Sequence, residues 1–526
     1  MRIAVVGQGS IGRRHAEIAL ALGHELTVYD PDPAATAPPG ALAAASVSDC
    51  LEGADAAVVA SPSSAHVAHA RAAIELGVPV LVEKPLALDA AHAAELDFLA
   101  QERGTMLSVA MNLREHPGVR ALSALVAEGA VGSVLRASAW CGSWLPDWRP
   151  TSDYRKSYSA HSELGGGVLL DVAVHELDYL LSIVGRARSV SALARHVSEL
   201  EMDVEDVALI AIELDSGGLA EVGVDYLDRC YTRGCRIVGS TGTLHWSWEE
   251  QMLTCRYASG TTRQHVVPSD VAPTYRAQLE RFLRAAREGA QAPVPATSAQ
   301  QVLAVIDAAR SSSRNGRRVA LAPPVRLRAA GIEDAEIMLA WRNDPETRRW
   351  SRELREIEPE EHAHWLRGVL DDPSTRLWMA ECDGRPIASV RITPERGGPA
   401  QSAGKSAAAA ARITAPAGGL AQTDGHQSEH PGADPWSNDV AEVHVVLAPP
   451  ARGRGLGTAV LTQATARALA ELSLDALRAH VRPHNEASLR AFAKAGFRLV
   501  GQDADGLVRL ERLPAREALT ACSQRV

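Results

Sequence analysis

Long hydrophobic runs are missing from this chain: across its 526 residues no apolar stretch approaches the roughly 20 residues needed to cross a bilayer. The opening stretch, residues 1–6, is too short and too soon followed by glycine to serve as a secretory leader. A cytoplasmic protein that does not enter a membrane is therefore expected. Cysteine is sparse and scattered, with seven residues (Cys50, Cys141, Cys230, Cys235, Cys255, Cys382, Cys522) and no Cys-x-x-Cys spacing. Cys230 and Cys235 lie closest, but no second pair completes a zinc site, so ordinary reduced thiols are expected. Basic blocks are absent as well. With 54 Lys and Arg against 64 Asp and Glu, a formal charge of −10 and a pI near 6.0, nothing draws a polyanion, and nucleic acid is not an expected partner.

What is present is ordinary for globular protein: 46% apolar and 22% charged residues. The length exceeds one compact core and suits two or three domains. From residue 1 to 117, short apolar runs (3–6, 26–29, 56–60, 78–82) alternate with helical stretches such as 11–22 and 65–76. That alternation marks a parallel sheet covered by helices, an α/β Rossmann-type domain. Residues 118–322 mix helices with longer alternating runs (206–214, 220–227) and suit an α+β domain on an open, largely antiparallel sheet. Pro323-Pro324 reads as a joint. A third α+β domain spans 325–513, interrupted at 397–438 by residues that are mostly Ala, Gly, Ser, Pro and Gln. Such a stretch cannot bury enough surface to offset its ordering entropy, so a disordered insertion is expected there.

Two nucleotide-binding patterns sit far apart in the chain. Gly7-Gln8-Gly9-Ser10-Ile11-Gly12 follows the first apolar run. Its first glycine permits a tight turn, the second lets the backbone approach a pyrophosphate, and the third allows close packing of helix on strand. The phosphate then faces a helix N-terminus. Asp30, ending the next strand-like run, stands where a carboxylate takes ribose hydroxyls, which favours NAD; the neighbouring Arg13 and Arg14 leave NADP open.

Further marks follow in order: Ala60-Ser61-Pro62 with His66, Glu83-Lys84-Pro85, Gly165-Gly166-Gly167 leading to Asp171 and His175, and Gly239-Ser240-Thr241-Gly242-Thr243 with Trp246. Together they resemble the glucose-fructose oxidoreductase/inositol dehydrogenase/MocA family over residues 1–321. The resemblance implies that Ser61, Pro62, His66 and Glu83 serve the cofactor site and that Lys84 binds the reacting hydroxyl. It also implies His175 as base and Asp171 as orienting carboxylate. Asp171 and His175 are spaced to share a helix face, with Asp178 on the same stripe. No metal is expected, because His175-Glu176 begins like a zinc-protease helix but Tyr179 stands where a second His is required. Asn112 and Arg114, together with Arg155 and Tyr158 in the stretch from Trp148, look like the branch found with surface-polysaccharide and nucleotide-sugar enzymes. Guanidinium and aromatic groups there could pair with phosphate and stack on sugar; a polar loop on the sheet rim is the alternative.

The second pattern is Arg452-Gly453-Arg454-Gly455-Leu456-Gly457, a turn between a strand at 440–447 and a helix at 458–472. Its backbone N–H groups suit the pyrophosphate of coenzyme A. With Asn485-x-x-Ser488 and Gly496-Phe497 it resembles the GNAT N-acetyltransferase superfamily over residues 325–513. Trp341-Arg342-Asn343-Asp344 is similar to members that acetylate amino groups of nucleotide-linked sugars, which implies acceptor contacts from Trp341, Arg342 and Asn343. Many members carry a Tyr acid where this chain has Phe492, so the acid is unassigned. Glu442 and His444 alternate onto one strand face, and either could deprotonate an ammonium through water.

The combined expectation is a bifunctional nucleotide-sugar enzyme using NAD and acetyl-CoA, itself a homo-oligomer. It oxidises a hydroxyl, acetylates an amine, and needs an aminotransferase as pathway partner because a ketone is not an amine. Two alternatives stand beside it: reduction or epimerisation through a transient ketone, and a C-terminal module that binds acyl-CoA or a partner without turnover.

Overall fold

Strands β1 (Arg2–Val6), β2 (Glu25–Tyr29), β3 (Ala41–Ala43), β4 (Ala56–Val59), β5 (Val80–Glu83) and β6 (Leu107–Ala110) form a parallel sheet in the order β3-β2-β1-β4-β5-β6. The continuous Ala/Val/Leu character of β1, β4, β5 and β6 is what a strand buried on both faces requires, and nearly every residue in them is buried. In this computed structural model the described residues are 1–150, 152–321, 325–382, 384–395, 440–453, 455–472, 474–503 and 505–513. The expected joint at Pro323-Pro324, the segment 397–438, Arg454 and Cys522 lie outside them. The chain divides into two units, Met1–Pro323 and Pro324–Val526.

In the first unit one sheet face, with Ile3, Val5, Leu26 and Val58, packs on Leu279, Phe282 and Leu283 of the helix Ala272–Glu288. This helix comes from the stretch assigned by sequence to the second domain, so the nucleotide-binding core recruits chain from beyond residue 117. Ser108 also bridges to Pro295. A second sheet holds β7 (Val134–Gly142), β8 (Ala187–Arg195), β9 (Val207–Leu214), β10 (Leu219–Asp225), β11 (Thr232–Gly239), β12 (Gly242–Ser247), β13 (Met252–Tyr257), β14 (Thr262–Val266) and β15 (Val319–Ala320). Its order is β14-β13-β12-β11-β7-β10-β9-β8-β15, and only the β7–β10 pairing is parallel. Alternation along β9 buries Ala208, Ile210, Ile212 and Leu214 and exposes Leu209, the pattern of a sheet with one packed face.

The second unit is built on β16 (Arg326–Ala329), β17 (Arg376–Cys382), β18 (Arg385–Pro394), β19 (Val440–Leu447), β20 (Ala476–Val481), β21 (Arg498–Gln502) and β22 (Val508–Arg512), ordered β16-β17-β18-β19-β20-β22-β21. The one parallel pair, β19 with β20, is matched only from Val440↔Ala476 to Glu442↔Arg478, yet both strands run on to Leu447 and Val481. Beyond Glu442 the two backbones diverge and leave a cleft between unpaired edges. No helix among the described residues is long and apolar enough to cross a membrane.

Candidate active sites

The strand order of the first sheet reverses between β1 and β4, and ligands of open α/β sheets lie outside the carboxyl ends at such a point. Three loops meet there. Gly7, at φ 99°, ends β1; a Cβ on it would stand 2.5 Å from the Ala60 carbonyl oxygen after β4, so the Ser61-Pro62 loop lies directly on the glycine turn. A Cβ on Gly12 would meet the Gly7 carbonyl oxygen at 1.9 Å, which fixes glycine where helix Ser10–Ala21 presses on β1. A Cβ on Gly9 would meet nothing within 4 Å, so this position faces open space. The helix N-terminus has no side-chain cap, and the buried Gln8 leaves its Oε1 without a partner. Uncapped N–H groups, an orphan acceptor and open space above Gly9 fit a dinucleotide pyrophosphate. Asp30 accepts hydrogen bonds from the backbone N–H groups of Gln8 at 2.6 Å and Asp32 at 2.9 Å, which fixes the carboxylate beside the turn.

Other residues expected at the cofactor are used to frame the loops. His66 is buried, with Nδ1 2.7 Å from the Pro85 carbonyl and Nε2 2.8 Å from that of Ser61, so it ties the β4 loop to the Lys84-Pro85 turn. The Ser61 hydroxyl pairs with His69 Nδ1 at 2.9 Å. Glu83 Oε1 meets His15 Nε2 of the glycine-turn helix at 2.8 Å, a buried link between β5 and that helix.

Asp171 is the hub of a buried polar cluster. Its Oδ1 accepts from Lys84 Nζ at 2.7 Å and from the Tyr158 hydroxyl at 2.5 Å. Its Oδ2 accepts from Ser159 at 2.7 Å and Tyr226 at 3.1 Å, and Lys84 also donates to its backbone carbonyl at 2.8 Å. Burial alone would raise the carboxyl pKa, but the Lys84 charge and these donors outweigh it and hold Asp171 below its ordinary value. Burial likewise opposes the Lys84 ammonium, and Asp171 overrides it, raising the lysine pKa. The pair is an ion pair on both accounts. Burial first, then the charges of Lys84 and Arg233, press His175 well below its ordinary value, so its imidazole is neutral.

The expected single helical stripe is broken. Asp171 lies in a π-helical turn, Leu169–Ala173, ahead of the helix Val174–Val184, and Asp178 turns instead to Arg114, paired at 2.7 Å through both guanidinium arms Nε and NH2. On the same helix Glu176 lies 2.8 Å from Arg233 without hydrogen-bond alignment. His175 is thus carried on a helix held by two buried carboxylate–guanidinium contacts. Of the expected substrate contacts, Tyr158 reaches the hub. Arg114 is committed to Asp178, and buried Asn112 donates to Thr274 Oγ1 at 2.9 Å. Arg155 is exposed and pairs with Asp153 and Glu201. Tyr226 and Ser159 went unseen in the sequence: Tyr226 follows an alternating strand as any core tyrosine would, and Ser159 reaches Asp171 because the 158–161 backbone crosses Gly166, where a Cβ would stand 2.3 Å from the Tyr158 carbonyl oxygen.

In the second unit Gly453 (φ 73°) and Gly455 (φ 77°) shape the turn into helix Leu456–Glu471, whose N-terminus again lacks a side-chain cap. A Cβ on either would meet nothing within 4 Å, leaving room for a phosphate chain; Gly457 sits inside, with Leu447 3.0 Å from its would-be Cβ. Arg452 is held by Asp344 at 2.6 Å and Thr347 Oγ1 at 2.7 Å, which binds the turn to the segment expected to touch the acceptor. In that segment Trp341 is buried in the core rather than presented to the cleft. Asn343 brackets the Ile357 backbone through its N–H and carbonyl at 2.9 and 2.8 Å, and Arg342 donates to the Glu353 carbonyl at 2.9 Å. These residues brace residues 351–358. Asn485 caps its helix by accepting from Ser488 N–H at 3.1 Å. Glu442 and His444 do share a face, 3.4 Å apart at the mouth of the β19/β20 cleft. The sequence reading missed His480, Asp503 and Arg352, which join them; no motif marks those three.

Comparisons with known proteins agree with this geometry. A family model described as an oxidoreductase family with an NAD-binding Rossmann fold matches residues 1–111, the GFO/IDH/MocA C-terminal domain matches 119–245, and an acetyltransferase (GNAT) domain matches 325–498. The chain is 30% identical over 315 residues to a myo-inositol dehydrogenase of Streptomyces leeuwenhoekii, covering 56% of this chain and 92% of that one. It is 30% identical over 241 residues to UDP-N-acetylglucosamine 3-dehydrogenase of Acidithiobacillus ferrooxidans, 45% of this chain and 71% of the relative. A solved levoglucosan dehydrogenase in complex with NADH and levoglucosan aligns at TM-score 0.56 and 20% identity, over 61% of this chain and 99% of that one, a likeness of fold. The chain therefore belongs, through its first unit, to the Gfo/Idh/MocA oxidoreductase family, and its second unit is a GNAT acetyltransferase domain.

Proposed function

We propose that this protein is a bifunctional enzyme of nucleotide-sugar metabolism in surface-polysaccharide or glycoconjugate biosynthesis, working in the cytoplasm as a homo-oligomer. The observation that carries the reading is the Lys84–Asp171–His175 constellation beside the glycine turn. NAD, when bound there, accepts the hydride; the chain's residues manage the proton. Lys84, held cationic by Asp171, binds the sugar hydroxyl oxygen and favours its deprotonation, and neutral His175 takes the proton. A positioned base of this kind contributes about 10²–10⁴-fold.

A nucleotide-linked substrate is favoured by the relatives that act on such sugars: a UDP-N-acetylglucosamine 3-dehydrogenase and, 34% identical over 192 residues, a dTDP-3,4-didehydro-2,6-dideoxy-alpha-D-glucose 3-reductase of Streptomyces violaceoruber. The second unit then transfers acetyl from acetyl-CoA to a sugar amine, and an aminotransferase acting between the two steps converts ketone to amine. Screening UDP-, GDP-, CMP- and dTDP-linked sugars for NADH formation tests the first half. If the protein binds NAD yet oxidises none of them, the nucleotide-sugar reading fails.

One observation favours a second reading of the C-terminal unit. Phe492 is buried against Phe497 with ring centroids 5.0 Å apart and supplies no acid for the departing thiolate. In that reading the unit binds acyl-CoA without turnover, and saturable coenzyme A binding with no acetylated product from any amino sugar would establish it.

A further inference from the structure

We infer that His444 is the general base of acetyl transfer, and that Glu442, anchored by His480 and Asp503, positions it. The inference rests on the acetyltransferase reading and resolves which of the two residues on β19 takes the proton.

The four side chains form a continuous line across the cleft. His444 Nε2 lies 3.4 Å from Glu442 Oε2, Glu442 Oε1 lies 3.0 Å from His480 Nδ1, and His480 Nε2 lies 3.3 Å from Asp503 Oδ2. Arg352, on the segment braced by Arg342 and Asn343, approaches Glu442 Oε1 at 3.4 Å. From β18, Arg391 stands in register with His444. Both Glu442 oxygens are therefore occupied by cationic or imidazole neighbours, and its side chain is 19% exposed. His444 is 34% exposed, and its Nδ1 has no hydrogen-bond partner among the described residues. It stands just past Glu442, where β19 and β20 cease to pair.

The division of labour follows. Burial would raise the Glu442 pKa, but His444, His480 and Arg352 outweigh it and bring it down to about 2. A carboxylate that acidic has little affinity for an ammonium proton. An imidazole titrates near physiological pH, and a carboxylate on its far nitrogen orients the ring and stabilises the imidazolium as it forms. In the reaction His444 removes one proton from the sugar ammonium, and the freed lone pair forms the C–N bond at the thioester carbonyl. The C–S bond breaks. The second N–H proton passes through water to the departing thiolate, giving the amide and the thiol, and His444 returns its proton to solvent.

The test uses the full chain with acetyl-CoA and a panel of UDP- and dTDP-linked amino sugars, following thiol release across pH. His444→Gln should lower kcat by about 10²-fold or more and remove the acidic limb of the pH profile, with acetyl-CoA affinity by calorimetry unchanged. Glu442→Gln should lower kcat about tenfold with the KM for acetyl-CoA unchanged, because the carboxylate that orients the ring and stabilises the imidazolium is gone. Glu442→Asp, which keeps a carboxylate beside the imidazole, should recover most of the kcat lost in Glu442→Gln, as a purely steric role would not require. Transfer at the wild-type rate by His444→Gln, or by Glu442→Gln, overturns the proposal alone. A wild-type chain that binds acetyl-CoA and acetylates nothing overturns the acetyltransferase reading and this proposal with it.

Discussion

The two glycine turns each lead into a helix whose N-terminus has no side-chain cap, and they are built differently. In the first unit Gly7 and Gly12 are demanded by packing, because a Cβ on either would enter neighbouring backbone at 2.5 and 1.9 Å. In the second, Gly453 and Gly455 have open space around them and are demanded by left-handed backbone, at φ 73° and 77°. The same contrast runs through the titrating groups. Asp171 has a side chain 2% exposed and four side-chain donors, whereas Glu442 and His444 line a cleft at 19% and 34% exposure. Enclosed sites couple chemistry to fold stability; open ones leave the two nearly separate.

The largest expected effect tests that coupling. Lys84→Ala leaves Asp171 buried without its counter-charge, and breaking a buried pair in this way is strongly destabilising, about 3–5 kcal/mol. Denaturant unfolding should show the loss in the first unit's transition, and sugar oxidation should disappear. Glu442→Gln, at a more open site, should move the second unit's transition by less. Equal losses in the two variants would erase the contrast between enclosed and open sites.

Next in size is the glycine turn itself. Gly12→Ala must displace the β1 turn, with an overpacking loss of roughly 1–3 kcal/mol or more, visible as a lower melting temperature of the first unit. Gly9→Ala, at φ −64° with nothing within 4 Å, should melt like wild type but bind NAD about tenfold more weakly, since the methyl occupies the space of the pyrophosphate. If Gly9→Ala binds NAD normally, the pyrophosphate does not lie over that residue.

Legibility in the sequence followed the same division. The parallel sheet and the glycine turns were readable because period and spacing specify them locally, and Lys84, Asp171 and His175 were singled out only through motifs resembling a known family. The helix Ala272–Glu288 returning to the first sheet was not, since an amphipathic pattern marks a buried face without naming what covers it. The Arg114–Asp178 pair, the Tyr226 and Ser159 contacts with Asp171, and the reach of His480 and Asp503 to Glu442 depend on tertiary contacts. Trp341 shows the converse. A residue in a motif resembling an acceptor site is spent on the core, because a large apolar ring at a helical spacing is worth more buried than exposed.

A smaller change concerns cofactor choice. Asp30 is fixed by two backbone N–H groups, so its charge cannot swing away from a 2′-phosphate. Asp30→Ser should weaken NAD and relatively improve NADP, shifting the ratio of their kcat/KM values about tenfold, on the order of 1.4 kcal/mol. A wild-type preference for NADP would show that Arg13 or Arg14 decides the site instead.

The last contrast separates the units by acid. In the first unit burial lowers His175 well below 6.5 and His116 to about 4. Unfolding at acid pH therefore takes up protons that the folded unit refuses. Stability from these groups is complete above about pH 6.5, the unfolded value, and falls as pH drops from there toward their folded values, by at most about 1.4 kcal/mol per pH unit for each group. In the second unit Glu442, lowered to about 2, contributes stability that is intact above its ordinary value of 4.5 and is lost only as pH falls from there toward 2. Calorimetry of the full chain at about pH 7.5 and about pH 5.5 should lower the first unit's transition and leave Glu442's contribution to the second untouched. His175→Gln should flatten the first unit's pH dependence over that interval, as its proton uptake is removed. If the first unit's transition stays fixed between those pH values, His175 is not held neutral by its surroundings, and its assignment as the waiting base loses its physical ground.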